Sequence, residues 1–207
     1  MSRASEWRLL ERAGTLVAQL FFVAAGVYLG NRADAWKEER SHREAARATL
    51  LNFRDEIRRN RARLRTTHAV HAALRDDIAA LNASGRPPKT TNEFAARVHL
   101  NGLSPSTFRH AAWQLALGNQ SLTYLEPSLA FAIADLYENQ ESLARYGDIT
   151  LQNVVSPTAL GQNDPLPLAR TLQAYTVDAA TYQEPQILAA YDTLLPRIDS
   201  AITRLRN

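Results

Sequence analysis

Two histidines, His68 and His71, stand three residues apart in a stretch that reads as helix, so their rings share a face and are within reach of one metal ion. A metal needs further ligands, and the next carboxylate is Asp76, off that face. His71 also falls on the apolar seam of its helix, where a polar residue sets register. The adjacent pairs Asp76 and Asp77, and Glu38 and Glu39, point about 100° apart on a helix, a poor arrangement for paired acid and base. The sequence holds no G-x-x-x-x-G-K-[ST], G-x-G-x-x-G, G-x-S-x-G or H-E-x-x-H pattern. Cysteine is absent, which removes disulfides, iron–sulfur clusters and thiol nucleophiles. The sequence therefore assigns no catalytic, cofactor-binding or metal-ligating residue, and an enzyme is the least favoured class.

The element carrying those histidines is long. Ala46, Leu50, Phe53, Ile57, Asn60, Leu64, Thr67, His71, Leu74, Ile78 and Leu81 alternate spacings of four and three, the seam of a coiled coil or of a long bundle helix. The helix should stop at "GRPP", where Gly85 caps and Pro87 and Pro88 cannot continue.

Upstream, residues 13–30 form an apolar run in which only Thr15 and Gln19 are polar. Eighteen helical residues cover roughly 27 Å, close to the hydrocarbon thickness of a bilayer. A secretion signal is the nearest alternative, but its apolar region is shorter and ends at small residues, whereas this run ends in Tyr28, Leu29, Gly30, Asn31 and Arg32. A core helix is the other alternative. The expected organisation is a short tail (1–12), a transmembrane helix (13–30), a stalk helix (31–85) and a helical bundle (86–207) packed with part of the stalk. Trp7 before the run, and Tyr28 and Trp36 at its far end, suit the two interfaces, with the bilayer itself as a partner. Gly14, Ala18, Gly26 and Gly30 lie four apart with Phe22 on one face, a small-residue surface for helix packing within the membrane.

Charge is uneven. Residues 32–65 carry 11 Lys and Arg against 6 Asp and Glu, a net of +5; residues 66–207 carry 10 against 13, a net of −3, so the two parts should attract. "RRNRARLR" puts five arginines in eight residues. No aromatic interleaves with them and no nucleic-acid reading module surrounds them, so nucleic acid is not an expected partner. Lipid is too far: Arg58 lies about 42 Å along a straight helix from Gly30, several Debye lengths away. Arg54, Arg58, Arg61 and Arg65 are left as a solvated or partner-facing basic face. For sidedness, Lys and Arg counts beside the run favour a cytoplasmic C-terminal side, while net charge favours the reverse.

From residue 91 the pattern stays helical. "TNEFAARVHL" is a short capped helix, "SPSTFRHAAWQLALGN" a second with Pro105 near its start, and residues 126–155 a long third. Two more are expected at about 167–183 and 185–206, the last bent at Pro196. Phe108, Trp113, Tyr124, Phe131, Tyr137 and Tyr146 are spaced as core residues. The fold class is all-α: one N-terminal transmembrane helix continuing into a long stalk helix, then a bundle of four or five helices.

"FFVAAGVYLGNRADAWKEER" resembles the N-terminal signature of a widespread group of uncharacterised bacterial single-pass membrane proteins, the DUF6090-like group, at Gly26, Val27, Leu29, Gly30, Asp34, Trp36, Glu38 and Arg40. A second segment, "AAWQLALGNQSLTYLEPSLAFAIADLY", is similar at Trp113, Asn119, Leu136 and Tyr137. The tail departs from the group's more basic one. The resemblance implies a bacterial inner-membrane location, N-terminus in the cytoplasm and C-terminal domain in the periplasm; it implies no activity. The expected function is a non-catalytic, membrane-anchored structural or accessory subunit that docks on a larger inner-membrane complex. The alternatives are a periplasmic helical-bundle sensor or ligand-binding module, and a self-associating scaffold.

Overall fold

The computed structural model describes residues 3–100, 104–156 and 163–206, with side chains described from Phe22 onward except at residues 23–25, 27 and 33. All described secondary structure is helical: α1 (Arg3–Ala83), α2 (Thr91–Arg97), α3 (Ala111–Gly118), a 3-10 turn (Ser121–Tyr124), α4 (Pro127–Val154), α5 (Leu166–Asp178), a π-helical turn (Ala179–Gln183) and α6 (Glu184–Arg204). The chain divides into two compact units, residues 1–45 and 46–207.

In the first unit, residues 34–41 are exposed at every position. A helix there has no apolar neighbour to hold it, and ion pairs one turn apart support it instead: Arg40 with Glu44 at 3.0 Å and Arg43 with Glu39 at 3.6 Å. Each contributes roughly 0.3–0.5 kcal/mol. No helix is long and apolar enough to cross a membrane among the described residues. The expected span 13–30 falls largely on residues whose side chains lie outside that description.

The second unit is built on the seam. Ten of its eleven positions are buried, Thr67 being half-buried. Leu50, Phe53, Ile57 and Leu64 join Ile133, Leu136, Tyr137 and Leu143 of α4 and Tyr191, Leu194 and Ile198 of α6 in one core. Leu74, Ile78 and Leu81 belong to a second, with Phe94, Val98 and Leu172. Between these two apolar groups the seam carries Thr67 and His71, of which His71 is the buried one. Gly85, at φ +64°, closes α1 as its type predicts, because a side chain is strained in that conformation.

Thr90 caps α2 by accepting from the Glu93 amide at 3.1 Å, while Glu93 reaches back to the Lys89 amide at 2.8 Å. Two expectations change. The helix anticipated from Ser104 begins only at Ala111; residues 104–110 run as a non-helical strap whose polar groups are taken by other parts of the chain. The anticipated break near residue 184 is a π-helical turn inside continuous helix. Pro185 has no N–H and its ring crowds the carbonyl four residues earlier, and widening the turn so that the Glu184 amide bonds Ala179 O accommodates it. Of the six aromatics expected in the core, Tyr137 is buried and Phe108, Trp113 and Tyr146 pack against it, but Phe131 is 71 % exposed and Tyr124 is 41 % exposed.

Leu74→Ala should cost about 2–5 kcal/mol through lost burial and a cavity, whereas Val70→Ala, on an exposed face of the same helix, should cost little. Chemical denaturation of both variants checks this, and equal losses would mean that the seam is misassigned.

Candidate functional site

Alternating apolar positions put α1 against α4 and α6, and the polar residues inserted in that pattern face inward with the rest. Glu56, Asn60 and His71 are all nearly or wholly buried. Each must find partners, since an unpaired buried polar group costs about 1–3 kcal/mol. They find them mainly in the strap and at the start of α3. Glu56 accepts from the Ala112 amide at 3.1 and 3.2 Å, placing its carboxylate at the N-terminus of α3, and from the Tyr137 hydroxyl at 2.6 Å. Burial, with the Glu56 carboxylate beside it, pushes the Tyr137 hydroxyl far above the ordinary tyrosine range. Trp113 stacks on Tyr137, centroids 5.3 Å apart. Asn60 holds the Arg109 backbone at both ends, accepting from its amide and donating to its carbonyl at 2.9 Å each, and also donates to Gln140. Arg63 donates to Thr107 at 3.1 Å, so its head group is not solely solvated.

At the other end of the strap the contacts become ionic. Glu184, the first residue after the π-helical turn, is fully buried. Its Oε1 accepts from Ser106 Oγ at 3.0 Å and lies 2.6 Å from His71 Nδ1; its Oε2 lies 3.0 Å from His68 Nδ1. His71 Nε2 is 3.0 Å from the Ser104 carbonyl. The Tyr175 ring meets His71 edge-on at 5.2 Å. Burial raises the Glu184 carboxyl, but the hydrogen bond and charge from His71, then His68 and Ser106, outweigh it and hold the group below its ordinary value. Both histidines meet the carboxylate directly, and no group of three or more such side chains is arranged to hold a metal ion among the described residues. Sequence spacing brought His68 and His71 together; nothing in it pointed to Glu184, 113 residues beyond His71.

The strap itself sits in a notch. An added Cβ at Gly147 would lie 2.9 Å from Pro105 Cβ and 3.2 Å from the Tyr175 hydroxyl.

The basic face expected to look outward meets the chain's own last helix. Arg58 reaches Asp199 at 3.1 Å and Arg54 the same carboxylate at 3.8 Å; Arg61 pairs with Asp192, and Arg65 lies 3.9 Å from it. Asp192 and Asp199 stand seven apart on α6 and match arginines seven apart on α1. This is the attraction between the basic and acidic parts of the chain, used internally.

Of the residues expected in the membrane, Trp7, Gly14 and Ala18 lie outside the described side chains. Gly26 and Gly30 are exposed, and an added Cβ at either meets nothing within 4 Å. Tyr28 and Trp36 are 62 % and 61 % exposed, each with the guanidinium of the arginine four residues later, Arg32 or Arg40, 5.9 Å from its ring centre. Comparison with protein-family models, with curated proteins and with solved structures finds no match. The resemblance to the single-pass group thus rests on its motif residues alone.

Gly147→Ala should destabilise by about 1–3 kcal/mol, because Pro105 cannot give way without shifting the strap; thermal melting of the variant checks it. For Glu184, a carboxyl held below its unfolded value contributes stability above about pH 4.3 that is lost as pH falls through the folded value. Denaturation across an acid series should show that loss in the wild type and a flatter profile in Glu184→Gln; identical slopes would rule out the linkage.

Proposed function

We propose that the protein is a membrane-anchored structural or accessory subunit, without catalytic activity of its own, that docks on a larger inner-membrane complex. In this reading residues 13–30 span the bilayer, the N-terminus is cytoplasmic and the helical bundle periplasmic. The observation that carries it is the open face at Gly26 and Gly30: four residues apart on α1, both exposed, with nothing of the chain itself in the space a side chain would fill. In lipid there is no hydrophobic drive between helices, so close backbone approach supplies the attraction, and small residues permit that approach. Tyr28 and Trp36, with Arg32 and Arg40 against their rings, support an interfacial position at the end of the span, where an aromatic body and a cationic tip meet headgroups. The fully exposed, self-paired helix at 34–41 supports a solvated spacer beyond it. The bundle's basic face is matched by Asp192 and Asp199, which favours docking through the anchor over docking through those arginines.

Gly26→Leu and Gly30→Leu together should release the protein from its assembly while leaving it inserted and folded. Co-migration of wild type and double variant with the purified complex on a native gel reads this. Circular dichroism checks the bundle, and a reporter active only in the periplasm, fused after Asn207, checks insertion. Full co-migration of the double variant would defeat docking through the anchor and move attention to the exposed Leu115, Leu117 and Phe131 of the bundle. Recovery of the chain with copies of itself alone would favour the scaffold.

A further inference from the structure

Where the strap leaves the α1 seam, the hydrogen-bond chemistry of His71 is over-determined. Nε2 faces a carbonyl oxygen, which only accepts, so that nitrogen carries a proton. Nδ1 faces Glu184 Oε1 at 2.6 Å, and that contact also needs a proton, on the ring or on the carboxyl. The pair therefore binds one proton more than an ionised carboxylate beside a neutral imidazole. We propose that this shared proton is a pH-sensitive latch: with it in place Ser104 at the near end of the strap is fastened to His71 of α1, and without it that contact opens, Ser106 keeping its bond to Glu184, while the rest of the bundle stays folded.

Loss of the proton leaves a buried carboxylate and a backbone carbonyl facing a ring with a single N–H, so one of the two contacts must break. The weaker is the neutral one to Ser104, on the strap. The far end of the strap is fastened independently by Asn60 at Arg109 and by Glu56 at Ala112, which confines the opening. Other groups face the pair from every packed element. α1 contributes His68, whose side chain is 30 % exposed and is the network's route to solvent, and Arg75, which is engaged by Asp76 and Thr181. The strap contributes Ser106. α5 contributes Tyr175 and Asp178, and α4 contributes Tyr146 and Asp148, the tyrosines held protonated by burial with these carboxylates raising them further. Among the described residues none of these stands within hydrogen-bond distance of His71 Nδ1, so the latch is the contact between His71 and Glu184, with His68 on the other carboxylate oxygen.

The test is hydrogen exchange read by mass spectrometry on the full chain in detergent, over a pH series, with rates expressed as protection relative to intrinsic exchange. The strap peptide covering 104–110 is compared with an α4 peptide covering 133–140. In the wild type, strap protection should fall by up to about tenfold as pH rises across the series while α4 stays protected, the scale expected for losing one neutral hydrogen bond. His71→Phe should start from the opened level and show no such pH dependence, whereas Glu184→Gln, whose amide can donate to an unprotonated Nδ1 while Nε2–H stays on Ser104, should keep the strap closed at every pH. Ser106→Ala removes one bond to the carboxylate but keeps the pair, so it should loosen the strap and retain the pH dependence; with Glu184→Gln it carries the test if His71→Phe does not fold. A wild-type strap equally protected at every pH overturns the proposal, as does pH dependence that survives in Glu184→Gln, or variants in which α4 loses protection in step with the strap.

Discussion

The strap at residues 104–110 is the constraint on which the bundle depends. It is non-helical backbone lying against a long helix, and backbone groups taken from water must be satisfied by something other than their own turn. Here side chains of the α1 seam do it, Asn60 for Arg109 and His71 for Ser104, while Glu56 beside the seam does the same for Ala112 at the start of α3. That is why an otherwise apolar seam carries polar residues at all. Replacing them with leucines would improve the seam as a hydrophobic stripe and leave the strap's backbone unpaired.

The His71–Glu184–Ser106 group separates two apolar cores, one from Ala46 to Leu64 along the seam and one from Leu74 to Leu81. A buried ion pair is weak evidence for net stability, because desolvation offsets much of the attraction, but breaking one side of it leaves an uncompensated charge costing about 3–5 kcal/mol. Its more useful property is directional. Apolar side chains tolerate a shift of α1 by a turn against α6; a carboxylate that must meet two histidines and a serine does not. The π-helical turn belongs to the same device, since it fixes where Glu184 falls after Gln183 and makes room for Pro185.

Arginines on α1 and aspartates on α6 fix the same register from outside. The pairs are partly exposed, so each contributes little by itself, about 0–1 kcal/mol. Repeated at the seven-residue spacing of both helices, they penalise the wrong alignment more than they stabilise the right one. Asp192 and Asp199 thus give the most conspicuous basic feature of the sequence partners within the chain, while Arg58 and Arg65 keep more than half of their side-chain surface exposed.

The sequence by itself determined the elements. The four-and-three spacing from Ala46 to Leu81 predicted which face of α1 is buried, Gly85 and the prolines after it marked the end of the helix, and Thr90 marked the start of the next, because periodicity and capping are local properties of neighbouring residues. Tertiary structure decided the rest. Residues 104–110 carry a helix-start signal at Pro105 yet run as a strap, its backbone bonded by distant side chains instead of by a helical turn. The basic face stays partly exposed but is paired with Asp192 and Asp199, a match no local spacing signalled, and Phe131 is turned outward although its type suits a core. His71 was legible as a polar residue on the seam. That its partners are Glu184 and Ser106 was not, since hydrogen-bond partners far apart along the chain are chosen by packing, and no spacing rule reaches that far.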